Sequence, residues 1–411
     1  MNNNLKKYIA GLSIKDKIII IDIISVIISY FAFNYLDILT HDYKWIQFIK
    51  TNGLLHIYDT WGMNFPIDLP PLYLIWLNLI KGLVGEELSN YTQLIMKLLP
   101  LLVQVIAQVF IYKKLSPEIA LKWSMNIAIL FNIVIYGQRD GVVGFLIVLL
   151  FYSMSKKKWL MPALIVALMS LFKPQGLYFI FILLLYYIVN RIPKIRVVSA
   201  LSLSAAIGYM FFLPFSITSG DLLLPFKLYL FAFKLRNTFG SIAGNLWGLF
   251  EYWSVPLWIT RFSFVFLIIC TLFGCAVYYK TKDFIYTSIL YLFSVFLFTL
   301  SQQGRYSIYT MFALFAAIHI YNETKYEMVY KYLMLSVTLA QLGMIAYNRT
   351  IVDYFGMEVI ETTIQMTYSM LNMLRILRYI FIIITFAING VCFVALLKIN
   401  NNPETDTRIG K

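Results

Sequence analysis

Charged residues are scarce in this chain of 411 residues, since only 13% are Asp, Glu, Lys or Arg while 60% are hydrophobic. The mean hydropathy is +0.75. No soluble globular fold can bury that much apolar surface, so the composition excludes a water-soluble protein and predicts an all-α membrane protein that crosses the bilayer many times. The aromatic share of 17% fits the anchors that such proteins place at the membrane surface.

Cysteine and histidine are rarer still, with three of each. Cys270 and Cys275 share one apolar segment and Cys392 lies in another, which is typical of packing residues and predicts neither a disulfide framework nor a metal cluster. The histidines are scattered, so the sequence predicts no metal and no cofactor. His41 and His56 share one loop, where a weak metal site stays an open alternative. The chain also lacks the phosphate-binding loop, the serine elbow and the zinc-protease motif.

The net charge of +14 invites a nucleic-acid partner. The basic residues, however, lie mainly in short loops between apolar segments, which is the positive-inside pattern of a membrane protein, so we expect no nucleic acid to bind. Segments of spanning length indicate one membrane domain over residues 1–399, followed by a disordered cytoplasmic tail over residues 400–411. The segments lie near residues 18–36, 94–112, 119–136, 141–155, 159–172, 176–190, 195–213, 258–279, 284–300, 306–321, 327–347 and 376–397.

Residues 69–85 decide the topology, because this apolar segment begins at a Pro-Pro pair, contains Asn78 and ends near Lys81. If it crossed the membrane, every later basic loop would lie opposite the basic N-terminus, against the positive-inside rule. We therefore interpret it as an interfacial helix within a first outer loop over residues 37–93. The chain then has about twelve crossings, both termini are cytoplasmic, and the remaining polar clusters share the extracytoplasmic face.

The first outer loop is the richest polar segment, and Trp45, Asp59 and Trp61 are its candidate substrate contacts. Acids at a membrane surface are costly unless they bind or react with something polar, which favours an enzyme over a passive channel. Asp42 has two open interpretations. It is a general base or a carboxylate that steers an acceptor hydroxyl, or else a solvated acid or a cap of an amphipathic helix. Asp68 and the prolines after it are interpreted as a helix start.

Two later outer turns carry further candidates. Gln138, Arg139 and Asp140 lie between two glycines, which let a ligand approach the backbone closely, although Arg139 and Asp140 could also form a local ion pair. Lys173 has no acidic neighbour in the sequence, so it either reaches lipid headgroups or neutralises a phosphate. Gln175 accompanies it as a candidate ligand.

Cations and amides recur in the 214–257 loop and at residues 302–306. Several cations near one lipid surface favour an anionic, lipid-linked substrate. Arg305 is either an interfacial anchor or a bidentate clamp on a phosphate. The other candidate substrate contacts in these segments are Lys234, Arg236, Asn245, Trp247 and Tyr306.

Short motifs follow one another in a fixed order over nearly the whole chain. They are Asp42-x-x-Trp45, Pro70-Pro71-Leu72-Tyr73, Lys97-Leu98-Leu99-Pro100, Tyr136-Gly137-Gln138-Arg139-Asp140, Lys173-Pro174-Gln175, Asn245-Leu246-Trp247-Gly248 and Arg305-Tyr306. In this order they resemble the GT-C superfamily of polyprenyl-phosphate-sugar-dependent glycosyltransferases, and within it the bacterial group related to eukaryotic GPI mannosyltransferase II. The family's His-Glu before Arg-Tyr is Gln303-Gly304 here, and Gln104 replaces a usual acid.

The resemblance implies an inverting, mannosyltransferase-like hexosyltransferase of the cell membrane. Its donor would be a polyprenyl-phosphate-linked sugar and its acceptor a glycan or lipid, with membrane lipids around it, no cofactor, and the active site on the extracytoplasmic face. Asp42 would match the aspartate that deprotonates the acceptor hydroxyl. Lys173 and Arg305 would stabilise the leaving phosphate, and Asp140 would act as a second acid that orients the sugar or the cations.

Other classes stay open. A lipid-linked-sugar flippase or polysaccharide transporter would need a charged path through the spans, which the sequence largely lacks. A polysaccharide polymerase would place its large outer loop late in the chain, whereas the richest loop here comes first. A membrane partner without catalytic activity is the third alternative, because Gln303-Gly304 replaces family residues.

Overall fold

The computed structural model describes residues 11–32, 41–62, 67, 69–87, 89–235, 246, 263–299, 306–354 and 368–399. Within these ranges the protein is all-helical and contains no strand, which confirms the predicted helical class. The chain divides into two compact units. The first unit comprises Met1–Leu150, Ala163–Leu177 and Val198–Tyr229, and the second comprises Phe151–Pro162, Tyr178–Val197 and Leu230–Lys411.

The α-helices follow one another through short connections. The earlier ones are α1 (Ile14–Phe31), α2 (Tyr43–Asn52), α3 (Pro71–Ile80), α4 (Asn90–Met96), α5 (Leu98–Lys114), α6 (Pro117–Ser124), α7 (Ile127–Leu130), α8 (Asp140–Ser155), α9 (Met161–Phe172) and α10 (Phe179–Val189). The later ones are α11 (Lys194–Ser219), α12 (Leu224–Leu235), α13 (Ser263–Thr281), α14 (Phe284–Phe298), α15 (Ser307–Ile320), α16 (Glu327–Tyr354) and α17 (Tyr368–Ile399). A π-helix covers Phe131–Ile135, and 3₁₀ helices cover Leu54–Gly62, Pro174–Tyr178 and Thr324–Tyr326.

Membrane character rests on the length and composition of the helices. Two of them, Lys194–Ser219 and Ile376–Ile399, are long and apolar enough to cross a bilayer. Two pairs bend sharply, α4 with α5 by 48° and α6 with residues 127–135 by 52°, and counting each as one span gives four. The other apolar helices have 10–17 residues, fewer than the roughly 20 of a straight crossing. The number of about twelve crossings therefore stays a prediction.

Apolar side chains cover much of the outside of the helices. Ile195 and Met210 on α11 are 73% and 67% exposed, and Val391 on α17 is 66% exposed. Such contiguous apolar surface is unfavourable in water and favourable against lipid tails. The surface therefore agrees with the membrane location expected from the composition.

The prediction of a loop over residues 214–257 is wrong at the N-terminal side of this range. Helix α11 continues through Pro214 to Ser219, and α12 begins at Leu224. A proline removes one helical hydrogen bond, but Phe212 and Phe215 on either side of it are buried, so packing outweighs that loss. The candidates Arg236, Asn245 and Trp247, and the side chain of Lys234, lie outside the described residues, as do Asp68, Gln303-Gly304, Arg305 and the tail 400–411.

The described part of the predicted first outer loop is mainly helical and belongs to the first unit. The interfacial segment predicted at residues 69–85 is α3, which begins at Pro71 and ends before Lys81, and the predicted amphipathic helix is α2. Lys50 of α2 donates a hydrogen bond to the Val84 carbonyl at 2.7 Å. A hydrophobic core cluster joins α2 and α3 to α11 and α12, and its members include Trp45, Ile46, Ile49, Tyr73, Leu74, Leu77, Phe212, Phe215 and Leu228.

The chain after α9 turns back onto the end of its own helix at Gly176. A Cβ atom built on Gly176 would lie 2.6 Å from Ser170 Cα. We expect Gly176→Ala to lower the free energy of unfolding by about 1–3 kcal/mol, because backbone atoms cannot rotate away as a side chain can. Unfolding of the detergent-purified protein measures this.

The control is Gly208→Ala in α11, where nothing lies within 4 Å of the added Cβ. That variant should be neutral or more stable by up to about 1 kcal/mol, because alanine favours a helix. Equal losses in the two variants would contradict the close packing of Gly176.

Candidate functional site

Asp42 lies at the N-terminal end of α2 and is 3% exposed. Its carboxylate accepts hydrogen bonds from the Tyr73 hydroxyl at 2.8 Å and from the Arg139 guanidinium at 3.1 Å. The guanidinium also lies over the Tyr73 ring, 4.3 Å from its centroid, where cation–π attraction favours it. Asp42 makes no side-chain capping bond to α2. The interpretation of Asp42 as a solvated acid is therefore wrong. Asp42 does occupy the N-cap position of α2, as the other interpretation had it, but its side chain does not cap the helix.

Tyr73 keeps its proton in this setting. Burial raises the pKa of the Tyr73 phenol well above its usual range, and the charge of Asp42 acts in the same direction. The phenol therefore remains a hydrogen-bond donor to Asp42 at every physiological pH.

The turn that carries Arg139 follows the π-helix. The N–H of Gln138 donates to the Asn132 carbonyl at 2.9 Å, and Gly137 has a φ of +58°. A residue in this left-handed region ends a helix, and glycine adopts it without steric penalty. The chain then starts α8 at Asp140. Because the N-terminus of a helix carries partial positive charge, an acid is favourable there.

Asp140 and Lys173 form a second ion pair, in which the ammonium donates to the carboxylate. Lys173 directly follows the C-terminus of α9, which carries partial negative charge and favours a cation. The side chains of Asp140 and Lys173 are 0% and 2% exposed. Lys173 is therefore a buried partner of Asp140, and its interpretation as a residue that reaches lipid headgroups is wrong.

The two ion pairs are linked through the backbone, because Arg139 and Asp140 are consecutive residues. We call Asp42, Tyr73, Arg139, Asp140 and Lys173 the charged cluster. It joins three segments that the sequence predicted to share one face, namely the first outer loop, the turn after the π-helix and the turn after α9. The sequence analysis named four of these residues as candidates, all but Tyr73, and it left open a local Arg139–Asp140 pair, whereas the pairs found here connect residues far apart in the chain.

Lys97 is a third buried cation, with 0% exposure, at the bend between α4 and α5. Its ammonium donates to the carbonyls of Ser29 and Val134 at 3.2 and 3.3 Å. The Ser29 hydroxyl also donates to the Val134 carbonyl, at 3.0 Å. Carbonyls near helix ends lack intrahelical hydrogen-bond donors. Lys97 supplies a donor to one such carbonyl near the end of α1 and to another in the π-helix. It thereby fixes the segment that leads into Arg139.

Buried amides lie in the same segments as the charged cluster. Both side-chain polar atoms of Asn132 and the Oε1 atom of Gln175 are buried, with no hydrogen-bond partner among the described residues. Buried polar atoms without a hydrogen-bond partner are rare in folded proteins, so these atoms indicate a place for a polar ligand or water. Sequence reasoning included Gln175 but missed Asn132, and it named Tyr73 and Lys97 only within motifs, with no role in the site. The π-helix that presents Asn132, a frequent feature of functional sites, has no simple sequence signal.

The other predicted contacts have separate surroundings. Trp45 is 2% exposed in the hydrophobic core cluster and stacks on His41 at 5.6 Å. Gln138 is buried beside Arg139. Asp59 is solvent-exposed and pairs with His56 at 3.0 Å. Tyr306 belongs to the second unit, is buried and stacks on Tyr309 at 5.7 Å. The side chain of Trp61 lies outside the described residues.

Among the residues that the structure describes, no group of three or more His, Cys, Asp or Glu side chains is arranged to hold a metal ion. No family model, curated protein or solved structure matches the chain. The chemistry of the site therefore has to be inferred from its own residues.

The Asp140–Lys173 pair can be tested by removing one partner and then both. We expect Lys173→Met to lower the free energy of unfolding by about 3–5 kcal/mol, because it leaves a buried carboxylate without this cation. Adding Asp140→Leu should recover most of the loss, since an apolar pair of similar volume replaces the buried charges. Denaturant unfolding in detergent measures the two single variants, Lys173→Met and Asp140→Leu, and the double variant. A double variant whose loss equals the sum of the two single losses would contradict a direct pair.

Proposed function

We propose that the protein is a membrane glycosyltransferase of the GT-C type that moves a sugar from a polyprenyl phosphate to an acceptor hydroxyl. The observation that carries this proposal is the charged cluster, in which the buried carboxylate of Asp42 contacts the buried cation Arg139, and the next residue, Asp140, pairs with the buried cation Lys173. Glycosyl transfer from a lipid phosphate needs both kinds of group close together, a base for the acceptor and positive charge for the leaving phosphate.

Asp42 is the proposed general base. A sugar hydroxyl is a poor nucleophile, so a positioned carboxylate assists by accepting its proton as the new bond forms. The acceptor oxygen bonds to the anomeric carbon, the bond from that carbon to the phosphate oxygen breaks, and its electron pair leaves with the lipid phosphate. Attack from the face opposite the phosphate inverts the anomeric centre. Tyr73 holds the Asp42 carboxylate in place through its hydrogen bond.

The cations of the cluster are proposed to exchange partners when the donor binds. Arg139 and Lys173 hold carboxylates in the structure, and both guanidinium and ammonium groups bind phosphate as well as carboxylate. A phosphate that takes over Arg139 leaves Asp42 more basic and ready to accept a proton. Asp140 would then orient Lys173 or a sugar hydroxyl. Arg305, which lies outside the described residues, is a further proposed phosphate ligand.

The amides near the cluster are suited to recognise the sugar. Side-chain amides both donate to and accept from hydroxyl groups. Gln138 and Gln175 were predicted from the sequence. Asn132 adds an amide whose two side-chain polar atoms have no hydrogen-bond partner among the described residues. We propose that these three residues select the sugar of the donor, whether mannose-like or another hexose.

The proposal includes a membrane topology with about twelve crossings, cytoplasmic termini and the site on the extracytoplasmic face. The contact between Asp42 and Arg139 supports it. If each bent pair, α4 with α5 and α6 with the π-helix, is one span, two crossings separate the two residues and return the chain to the same face. A crossing by α3 would make three and place the residues on opposite faces, which is incompatible with their 3.1 Å contact.

A transporter of lipid-linked sugars is the second candidate. Asp22 of α1 accepts a hydrogen bond from Gln108 of α5 at 2.8 Å, and Lys97 is buried at the start of the same predicted span. Charged residues within spans are typical of transport pathways. Sugar transfer by the purified protein in detergent, where no second compartment exists, separates the two functions, because a transporter forms no new glycosidic bond.

The first functional test is Asp42→Asn. We expect it to lower turnover with a polyprenyl-phosphate sugar by about 10²–10⁴-fold, because asparagine cannot accept the proton. The assay uses purified protein and a panel of radiolabelled donors. Glu86→Gln is the matched control, since Glu86 is an exposed acid of the same loop, and its activity should be unchanged. Full turnover in the Asp42 variant, or equal losses in both, would reject Asp42 as the base.

The second test addresses topology. In a variant with Cys270, Cys275 and Cys392 replaced by serine, Asp59→Cys and Lys157→Cys each introduce one exposed thiol. We expect an impermeant maleimide to label position 59 in intact cells and position 157 only after the membrane is opened. The reason is that, in the proposed topology, α8 crosses from the extracytoplasmic to the cytoplasmic face. Labelling of both positions from one side would contradict the proposed topology.

A further inference from the structure

Four helices of the second unit end in the same strained way. Lys157, Arg191, Lys282 and Asn322 have φ angles of +52°, +49°, +55° and +59°, and they are the non-glycine residues with positive φ in the part of the chain that the structure describes. They follow α8, α10, α13 and α15. Glycine is the usual residue at such a position because any side chain is strained there. Three of the four positions carry a cation instead.

These turns lie next to one another. Tyr186 of α10 donates to the Lys158 carbonyl at 2.8 Å and lies 6.1 Å from the ring of Phe284. Lys325 lies 3.8 Å from Asp283. The Tyr321 hydroxyl donates to the Phe151 carbonyl of α8 at 3.1 Å. The four connections therefore form one surface, which we call the basic end. Its exposed cations are Lys156, Lys157, Lys158, Arg191, Lys194, Arg196, Lys280, Lys282 and Lys325.

The acids at the basic end compensate only part of this charge. Asp283 and Glu323 both approach Lys325, at 3.8 and 3.1 Å, and Glu327 begins α16 nearby. The three strained cations therefore add to an excess of positive charge. The dipole of a helix C-terminus favours a cation anywhere in the last turn, so it does not require one at the strained position.

Tyrosine rings adjoin two of these cations. Lys282 lies 4.5 Å from the ring centroid of Tyr279, whose exposed fraction is 79%, and Lys156 lies 5.4 Å from the ring of Tyr152. Tyrosine is enriched where a membrane protein meets the headgroup layer. Ile188 and Ile195, on either side of Arg191, are 67% and 73% exposed. Cations bordered by exposed apolar side chains match a lipid surface better than a nucleic acid or a soluble acidic protein.

We propose that the basic end binds the phosphate groups of anionic phospholipids, and that Lys157, Arg191 and Lys282 are placed in strained turns so that their charges reach those phosphates. This proposal is independent of the proposed enzymatic function, since the basic end shares no residue with the charged cluster. A cationic side chain at the tip of a turn extends beyond the helix end, where it can reach a lipid phosphate. A glycine there would relieve the backbone strain but would lose the contact with the phosphate.

The test is the triple variant Lys157→Gly, Arg191→Gly and Lys282→Gly in the full chain. In neutral detergent, we expect its thermal midpoint to rise by roughly 1–3 °C, because glycine relieves the strain. Adding phosphatidylglycerol should raise the midpoint of the wild-type protein, because a ligand of the folded state stabilises it. That increase should fall by at least half in the triple variant. Phosphatidylcholine and inorganic phosphate at equal ionic strength should give no increase in either protein.

The matched control is Asn322→Gly, which relieves the same strain without removing charge, so its response to phosphatidylglycerol should equal that of the wild type. A second variant, Lys156→Gln with Lys158→Gln and Lys194→Gln, removes charge without changing a strained turn and should also respond less. An undiminished response of the triple glycine variant would overturn the proposal. An equal midpoint increase with inorganic phosphate would overturn the assignment to lipid.

Discussion

A buried carboxylate in this protein is stable only beside a buried cation, and that constraint connects the charged cluster. Removing Asp42 and Asp140 from water without partners would cost several kcal/mol each. The partners come from other segments, so the first outer loop, the turn before α8 and the turn after α9 must meet for the chain to fold. The ends of α8 and α9 assist, because each ion of the Asp140–Lys173 pair faces the helix dipole that favours it. The proposed catalytic groups are thus also part of what holds the first unit together.

The same electrostatic rule acts differently at the basic end. There the cations are exposed, so water and salt screen them and they contribute little to stability by themselves. Strained turns at Lys157, Arg191 and Lys282 would not be retained for such weak interactions alone. The buried ion pairs of the charged cluster stabilise the fold, whereas the exposed cations of the basic end are available to bind a partner.

The helical class and the helix that begins at Pro71 could be predicted from the sequence, because composition and proline positions are local signals. Individual candidates such as Asp42, Arg139 and Lys173 could also be found, since polar residues at the ends of apolar segments stand out. Their pairing could not. An ion pair across 97 residues depends on how helices pack, and the adjacent Arg139 and Asp140 suggested a local pair. The helical continuation through Pro214 was missed for the same reason, since tertiary packing overrode the local preference of proline.

The most direct test of the account is to locate the donor on the protein. A photoreactive polyprenyl-phosphate sugar, activated on the membrane-embedded protein and mapped by mass spectrometry, would mark the residues that contact the lipid phosphate and sugar. The account predicts adducts within residues 131–141 and 172–178, and their loss when unlabelled donor competes. Adducts that lie elsewhere, or that persist with excess unlabelled donor, would contradict the claim that the charged cluster is the site of sugar transfer.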